Sequence, residues 1–278
     1  MDKTIGVIGM GLIGGSLVKA LKANTTHRVY GMDRNADVVA GALRQQSIDG
    51  ELTDEMLGKC DTLLLALYPN DIVDFVRSHI GICKKGVVIV DCAGVKANIC
   101  TALSEFVGSH GMYFIGGHPM SGIEKTGYAS SYSHLFDGAT MILCKDSFTN
   151  LIALKAAEVL FMSLGFMRVT ITTAEEHDRI IAFTSQLAHV VSSAYIKSDT
   201  APKQMGFTAG SYKDLTRVAW LNEELWTELF FENRDNLATE IEDLSARLLD
   251  YADALREGDR EKMKRLLLEG KLAKEAIG

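Results

Sequence analysis

The chain has 278 residues, about the length of two average domains. It is 47% hydrophobic and 23% charged, and its 25 glycines and 3 prolines exclude a low-complexity or disordered chain. The formal charge of −7 argues against nucleic acid and against an anionic membrane surface as main partner. A small anionic substrate stays open, because one local arginine outweighs a mild global field.

Apolar runs at 5–8, 29–32, 62–67, 87–90, 113–115 and 141–143 read as strands buried on both faces. Helical segments at 12–23, 36–46, 71–80 and 98–107 separate them, which predicts a doubly wound α/β fold on a parallel sheet. Residues 151–164 predict a further helix and 167–171 a closing strand. Beyond residue 172 no strand pattern recurs. Trp226, Phe230, Asn233, Leu237, Ile241, Leu244, Leu248, Tyr251 and Leu255 follow one another at steps of three and four, as in one long amphipathic helix or two in line. The reading is thus an α/β domain over 1–171 and an all-helical domain over 172–278. Wide apolar faces in so small a helical unit predict a homodimer through it. The charge-rich segment 256–274 reads as a solvated amphipathic helix.

The cysteines (Cys60, Cys83, Cys92, Cys100 and Cys144) lie scattered, without metal-ligand spacing. No metal site is expected, and reduced thiols point to the cytoplasm. Residues 5–21 are apolar enough to imitate a signal peptide, but Asp2 occupies its basic region and a glycine pattern accounts for the segment. No stretch of about 20 uncharged apolar residues predicts a membrane span.

That pattern is Gly9, Gly11 and Gly14, spaced G-x-G-x-x-G directly after a strand and opening a helix. In a Rossmann-type fold the first glycine makes a tight turn, the second admits a pyrophosphate and the third packs helix on strand. The free N–H groups of the helix start, at Leu12 and Ile13, then face the phosphates. The second strand runs into Asp33, 19 residues past Gly14. A carboxylate there binds a ribose 2′-OH and repels a 2′-phosphate, so NAD is expected over NADP; Arg34 beside it tempers the preference.

Ligands of open α/β sheets lie beyond the carboxyl ends of the strands. His118 is expected there, on a glycine-flanked loop pinned by Pro119. It can take a proton from a substrate hydroxyl while hydride leaves the same carbon, or simply cap local backbone. The helix over 175–197 has no charged residue from 183 to 196. Its apolar line is Ile180, Phe183, Leu187, Val191 and Ala194. Ser185, Gln186, His189 and Ser193 form a polar stripe beside it, either a sheltered pocket or a set of helix-packing hydrogen bonds. Arg217 offers a planar fork to a carboxylate, or a surface salt bridge to Asp214 or Glu224. Asn233 is a register-fixing amide or a site residue. The aromatic residues over 226–231 read as core.

Four blocks in order resemble the prephenate/arogenate dehydrogenases of tyrosine biosynthesis: GVIGMGLIGGSLVKAL, GGHPMSGIEKTGYASSYSHLFDGATMIL, AEEHDRIIAFTSQLAH, and AGSYKDLTRVA followed by Trp226 and Asn233. The resemblance implies NAD-dependent oxidative decarboxylation of prephenate to 4-hydroxyphenylpyruvate, with a helical dimerisation domain. Arogenate is the alternative substrate, or both are taken. It implies His118 as the catalytic histidine on the C4 hydroxyl, Arg217 on a substrate carboxylate and His189 near the substrate side chain. Where the family has D-x-G-S-V-K and S-H-L-P-H, this chain has Gly94 for the serine that helps hold the hydroxyl, and Ser185-Gln186-Leu187-Ala188-His189. Gln186 can donate hydrogen bonds but cannot become cationic. No appended regulatory or mutase domain is expected within these residues. The more distant readings are a 3-hydroxyacid dehydrogenase with Lys96 as base, and an NAD-sensing binding module without turnover.

Overall fold

The computed structural model describes residues 2–123 and 125–278. Its first part runs β1 (Thr4–Ile8), α1 (Leu12–Asn24), β2 (Arg28–Met32), α2 (Ala36–Arg44), β3 (Gly50–Glu51), α3 (Asp54–Leu57), β4 (Thr62–Leu65), α4 (Pro69–His79), β5 (Val88–Asp91), α5 (Ala97–Ser109), β6 (Tyr113–Met120), β7 (Thr140–Cys144), α6 (Leu151–Ser163) and β8 (Arg168–Thr172). The strands form one sheet in the order β3-β2-β1-β4-β5-β6-β7-β8. Within each strand, successive residues feed opposite cores. Ile5, Val7, Leu64, Val88 and Val90 join Leu17 and Leu21 of α1, Val39 of α2 and Phe161 of α6 on one face. Ile8, Leu63, Leu65 and Ile89 join Leu57 of α3, Ile72 and Val76 of α4, and Ile99 and Leu103 of α5 on the other. This two-sided burial is why the strands read as unbroken apolar runs.

The sheet is not parallel throughout. β6 and β7 pair antiparallel, with His118 opposite Ile142, and β8 then pairs parallel to β7. Among its described residues, the connection from β6 to β7 carries a single 3-10 turn, Tyr128–Ser130, and no crossover helix. Without that crossover the chain can return antiparallel. The short β3 also escapes prediction, since two residues carry no periodicity.

His118 lies within β6, not on a loop after it. Two glycines followed by a proline suggest the end of a strand, yet the glycines are there for close approach. A Cβ on Gly117 would come within 2.4 Å of Asp91 O, and one on Gly116 within 2.7 Å of Cys100 Sγ.

Helices follow from β8 onward: α7 (Ala174–Ile181), a π-helical segment (Ala182–Leu187), α8 (Ala188–Ile196), α9 (Gly210–Thr216), α10 (Glu223–Glu232), α11 (Arg234–Glu257) and α12 (Arg260–Ile277). The proposed long stripe is two helices broken at Asn233. The π segment shifts the helical register, so the expected apolar line over 180–194 fails: Ile180 and Phe183 are exposed and Leu187 is buried. The C-terminal helix carries exposed leucines, Leu267, Leu268 and Leu272, among its charges. Among the described residues no helix is long and apolar enough to cross a membrane.

Several helices begin on a local side-chain cap, such as Asn35 for α2, Asn150 for α6, Thr173 for α7 and Asn222 for α10. Helices α1 and α5 do not. Their open starts both border the site described below.

At the turn into α1, Gly9 has φ +81° and Gly14 packs so tightly that a Cβ there would lie 1.8 Å from Gly9 O. Gly14→Ala is expected to cost about 3 kcal/mol or more, beyond ordinary overpacking, because backbone must move. Gly11→Ala meets nothing within 4 Å and is expected to cost about 1 kcal/mol at most. Urea unfolding of both variants tests this; equal midpoints would remove the packing role assigned to Gly14.

Candidate active site

A cleft of about 440 Å³ opens between the start of α1 (Gly11, Leu12, Ile13), the carboxyl ends of β4, β5 and β6, and the inner face of α10. Gly11 stands at its floor with open space where a side chain would be. No side chain caps α1 and no acidic residue sits in its first turn. Its leading N–H groups and positive dipole end are therefore available to an anion. Asp33 is held against this turn, its two oxygens accepting from Met10 N at 2.8 Å and Asn35 N at 2.9 Å. Arg34 beside it is exposed. Gly9, Gly11, Leu12, Ile13, Gly14 and Asp33 thus form a cradle suited to a dinucleotide, with a carboxylate where a ribose would lie.

The opposite side of the cleft carries His118. Its Nδ1 is 2.9 Å from Nε2 of His177, whose own Nδ1 is 2.7 Å from Asp178 Oδ1. His177 and Asp178 are both buried on α7. Asp178 also accepts backbone N–H bonds from Lys96 and Ala97, each at 2.8 Å, and so caps the open start of α5 from 81 residues away. A carboxylate with these donors only accepts. His177 must then carry its proton on Nδ1 and present a bare Nε2, and His118 must donate from Nδ1. His118 Nε2 is left as an acceptor, and it lies 3.9 Å from where a Cβ on Gly94 would be, on the cleft side. Burial first, then the neighbouring His177 and Lys96, hold the His118 pKa well below the usual histidine value. His118 is therefore a neutral base at neutral pH.

His177 is the site residue that the sequence reading missed. The signal was a histidine and an aspartate in tandem, three residues past the start of a well-capped helix and with no reason to be buried.

The other expected site residues divide. Gly94 lines the cleft, and Leu229 Cδ2 lies 3.3 Å from the place its side chain would take. His189 donates from Nδ1 to Ser185 O at 2.8 Å and packs against Trp226 with the rings tilted by 33° and their centroids 4.0 Å apart. Trp226 itself lines the cleft instead of joining the core. Arg217 stands on a 3-10 turn, Arg217–Ala219, packed against α8, close enough that its charge helps lower the His189 pKa, after burial. Gln186 departs from the expectation of a substrate contact. It is buried, with Nε2 donating to Leu229 O at 2.9 Å and Oε1 accepting from Asn233 Nδ2 at 2.8 Å, and it locks α10 and α11 onto the π segment. Asn233 also donates to Asp178 O at 2.8 Å, so it too braces the site from behind. Ser185 meets His189 through its carbonyl. Lys96 is fully buried, its ammonium on Asp91 and on Gly117 O at 2.7 Å, and it does not line the cleft as the 3-hydroxyacid reading requires of a base.

Residues 17–169 match the family model of the prephenate dehydrogenase nucleotide-binding domain, and residues 173–269 that of the prephenate dehydrogenase dimerization domain. The chain belongs to the prephenate dehydrogenase family. A cyclohexadienyl dehydrogenase of Zymomonas mobilis is 29% identical over 269 residues, covering 92% of this chain and 90% of that protein. A prephenate dehydrogenase of Lactococcus lactis is 26% identical, covering 99% of this chain and 77% of that one. The crystal structure of prephenate dehydrogenase from A. aeolicus, in complex with hydroxyphenyl propionate and NAD+, shares the fold with a TM-score of 0.85 at 24% identity, over 100% of this chain and 99% of that one. As a member of this family the chain is a dehydrogenase, with its nucleotide-binding sheet in front and its helical domain behind.

Burial is also the main cause holding His177 below the usual value of 6.5, opposed by Asp178. With both histidines lowered, the folded chain binds fewer protons than the unfolded chain below about pH 6.5. Stability from this source is full above that pH and falls as the pH drops through it. Thermal melts from neutral to mildly acid pH should show this decline, and His177→Asn should flatten it; an unchanged slope in that variant would contradict the assignment.

Proposed function

We propose that this enzyme is an NAD-dependent prephenate dehydrogenase, and that His118 is its base. The observation that carries the reading is the directed chain from Asp178 through His177 to His118, which leaves a bare Nε2 facing the cleft. Residues 1–171 hold the dinucleotide through Gly9, Gly11, Leu12, Ile13, Gly14 and Asp33. When bound, NAD supplies the hydride acceptor for C4 of the substrate. His118 takes the proton of the C4 hydroxyl as that carbon is oxidised. The ring carboxylate departs as CO2, the ring becomes aromatic, and the C4 oxygen takes the proton back from His118, giving 4-hydroxyphenylpyruvate. The apolar cleft walls, Leu225, Trp226 and Leu229 among them, exclude water from the ring. Arg217 binds a substrate carboxylate and His189 stands near the side chain. His177 is a positioning residue that fixes the tautomer of His118.

Residues 172–278 form the dimerisation half. Its exposed Leu248, Leu249, Leu255 and Leu268 support a homodimer through this half, and light scattering should return about twice the 30.4 kDa chain mass. The free cysteines fit a cytoplasmic enzyme.

Formation of NADH with CO2 release on adding prephenate and NAD tests the activity, with arogenate run in parallel. Faster turnover of arogenate would reassign the substrate. His118→Asn is expected to lower kcat by about 10²–10⁴-fold while NADH still binds. Arg217→Ala is expected to act mainly on KM, and an unchanged KM rejects its role.

A further inference from the structure

The cleft is poor in charge for a site that takes an anion. Its walls are glycine, aliphatic and aromatic residues, and His118 is held neutral. Lys125 is the one residue with a full charge at neutral pH among the described residues that line it. It lies in the connection that leaves β6 just after His118. The ends of that connection are fixed. Ser121 Oγ donates to Leu135 O at 2.5 Å, Tyr128 OH donates to Gln45 Oε1 at 3.2 Å, and Lys19 Nζ donates to Ser131 O at 2.8 Å while lying over the Tyr128 ring. Between these anchors, Gly122 and Gly127 flank Lys125, and Gly127 has φ +82°. Lys125 lines the cleft together with Gly11, Leu12 and Ile13 at the start of α1 and His118 and Pro119 of β6.

Resting on the prephenate reading above, we propose that Lys125 is a substrate-binding residue that pairs with a carboxylate of the substrate. Prephenate brings two carboxylates into an apolar cleft, and an anion leaving water for such surroundings needs a partner for each charge. Lys125 serves the side-chain carboxylate, which 3-(4-hydroxyphenyl)propionate also carries, from the sheet side, and Arg217 serves the other from the helical side. The phosphates of a dinucleotide are the competing anion. They already have the open N-terminus of α1 with Gly11, which needs no lysine. The flexible lysine stem suits a carboxylate that must enter and leave at every turnover.

The chain has 2 tryptophans, Trp220 and Trp226, and both line the cleft, so intrinsic fluorescence reports on ligands there. Lys125→Met, Lys125→Arg and wild type are compared by titration with 3-(4-hydroxyphenyl)propionate and with NADH, and by steady-state kinetics on prephenate. Lys125→Met is expected to weaken binding of the acid and raise KM by about ten- to a hundredfold. It should change kcat much less, leave NADH binding at the wild-type level, and flatten the rise of KM with salt that wild type shows. Lys125→Arg should recover most of the loss. Weaker NADH binding with KM unchanged would place Lys125 on the cofactor and overturn the proposal, as would wild-type affinity for both ligands in Lys125→Met. A wild-type chain that binds the acid through Lys125 but does not turn over prephenate refutes the substrate assignment and keeps the carboxylate site.

Discussion

The Asp178 carboxylate is the point on which the site depends. It belongs to the first helix beyond the sheet, yet it closes the start of α5 by accepting from Lys96 N and Ala97 N. The same group fixes the proton on His177 and, through it, the orientation of His118. A buried carboxylate is costly unless donors surround it. Here the donors are a helix start that lacks its own cap and a histidine that needs an acceptor, so three deficits offset one another. Asn233, at the break between α10 and α11, then holds the backbone carbonyl of Asp178, and Gln186 of the π segment holds Asn233. The helical half is thereby registered against the strand end where chemistry occurs.

A second buried charge works beside it. Lys96 reaches Asp91 at the end of β5 and the carbonyl of Gly117 in β6, and neither side chain of the pair is exposed. Asp91 in turn accepts from Gly117 N at 3.0 Å and Ala93 N at 3.1 Å. Buried ion pairs add little net stability. The better account is geometric: the pair clamps two adjacent strands at the residue before His118. It also sets a positive charge near an imidazole that must stay neutral, which helps keep His118 unprotonated.

Much of this was legible from the chain alone. Glycine spacing, the acid at the end of β2 and the apolar strands follow from steric and burial rules that act within some thirty residues. The exceptions lie where partners are remote. The antiparallel return of β7 left no periodic signature. Gly116 and Gly117 looked like the end of β6, because their cause is Cys100 and the Asp91 carbonyl on neighbouring elements. His177 meets His118 across 59 residues. Gln186 sat on a polar stripe that an α-helix would have aimed at a pocket, and the π segment turned it toward Asn233 instead. Trp226 looked like core because an apolar cleft and a core ask for the same residue types.

That last ambiguity bears on how the site works. A cleft walled like a protein interior has a low effective dielectric, so each charge placed in it acts strongly and each unpaired charge is expensive. Keeping both histidines of the relay neutral avoids that cost in the resting enzyme. The reaction also suits such a site, because an anionic, nonaromatic ring becomes a neutral aromatic one as CO2 departs. The substrate loses charge as it reacts, and apolar walls favour that direction.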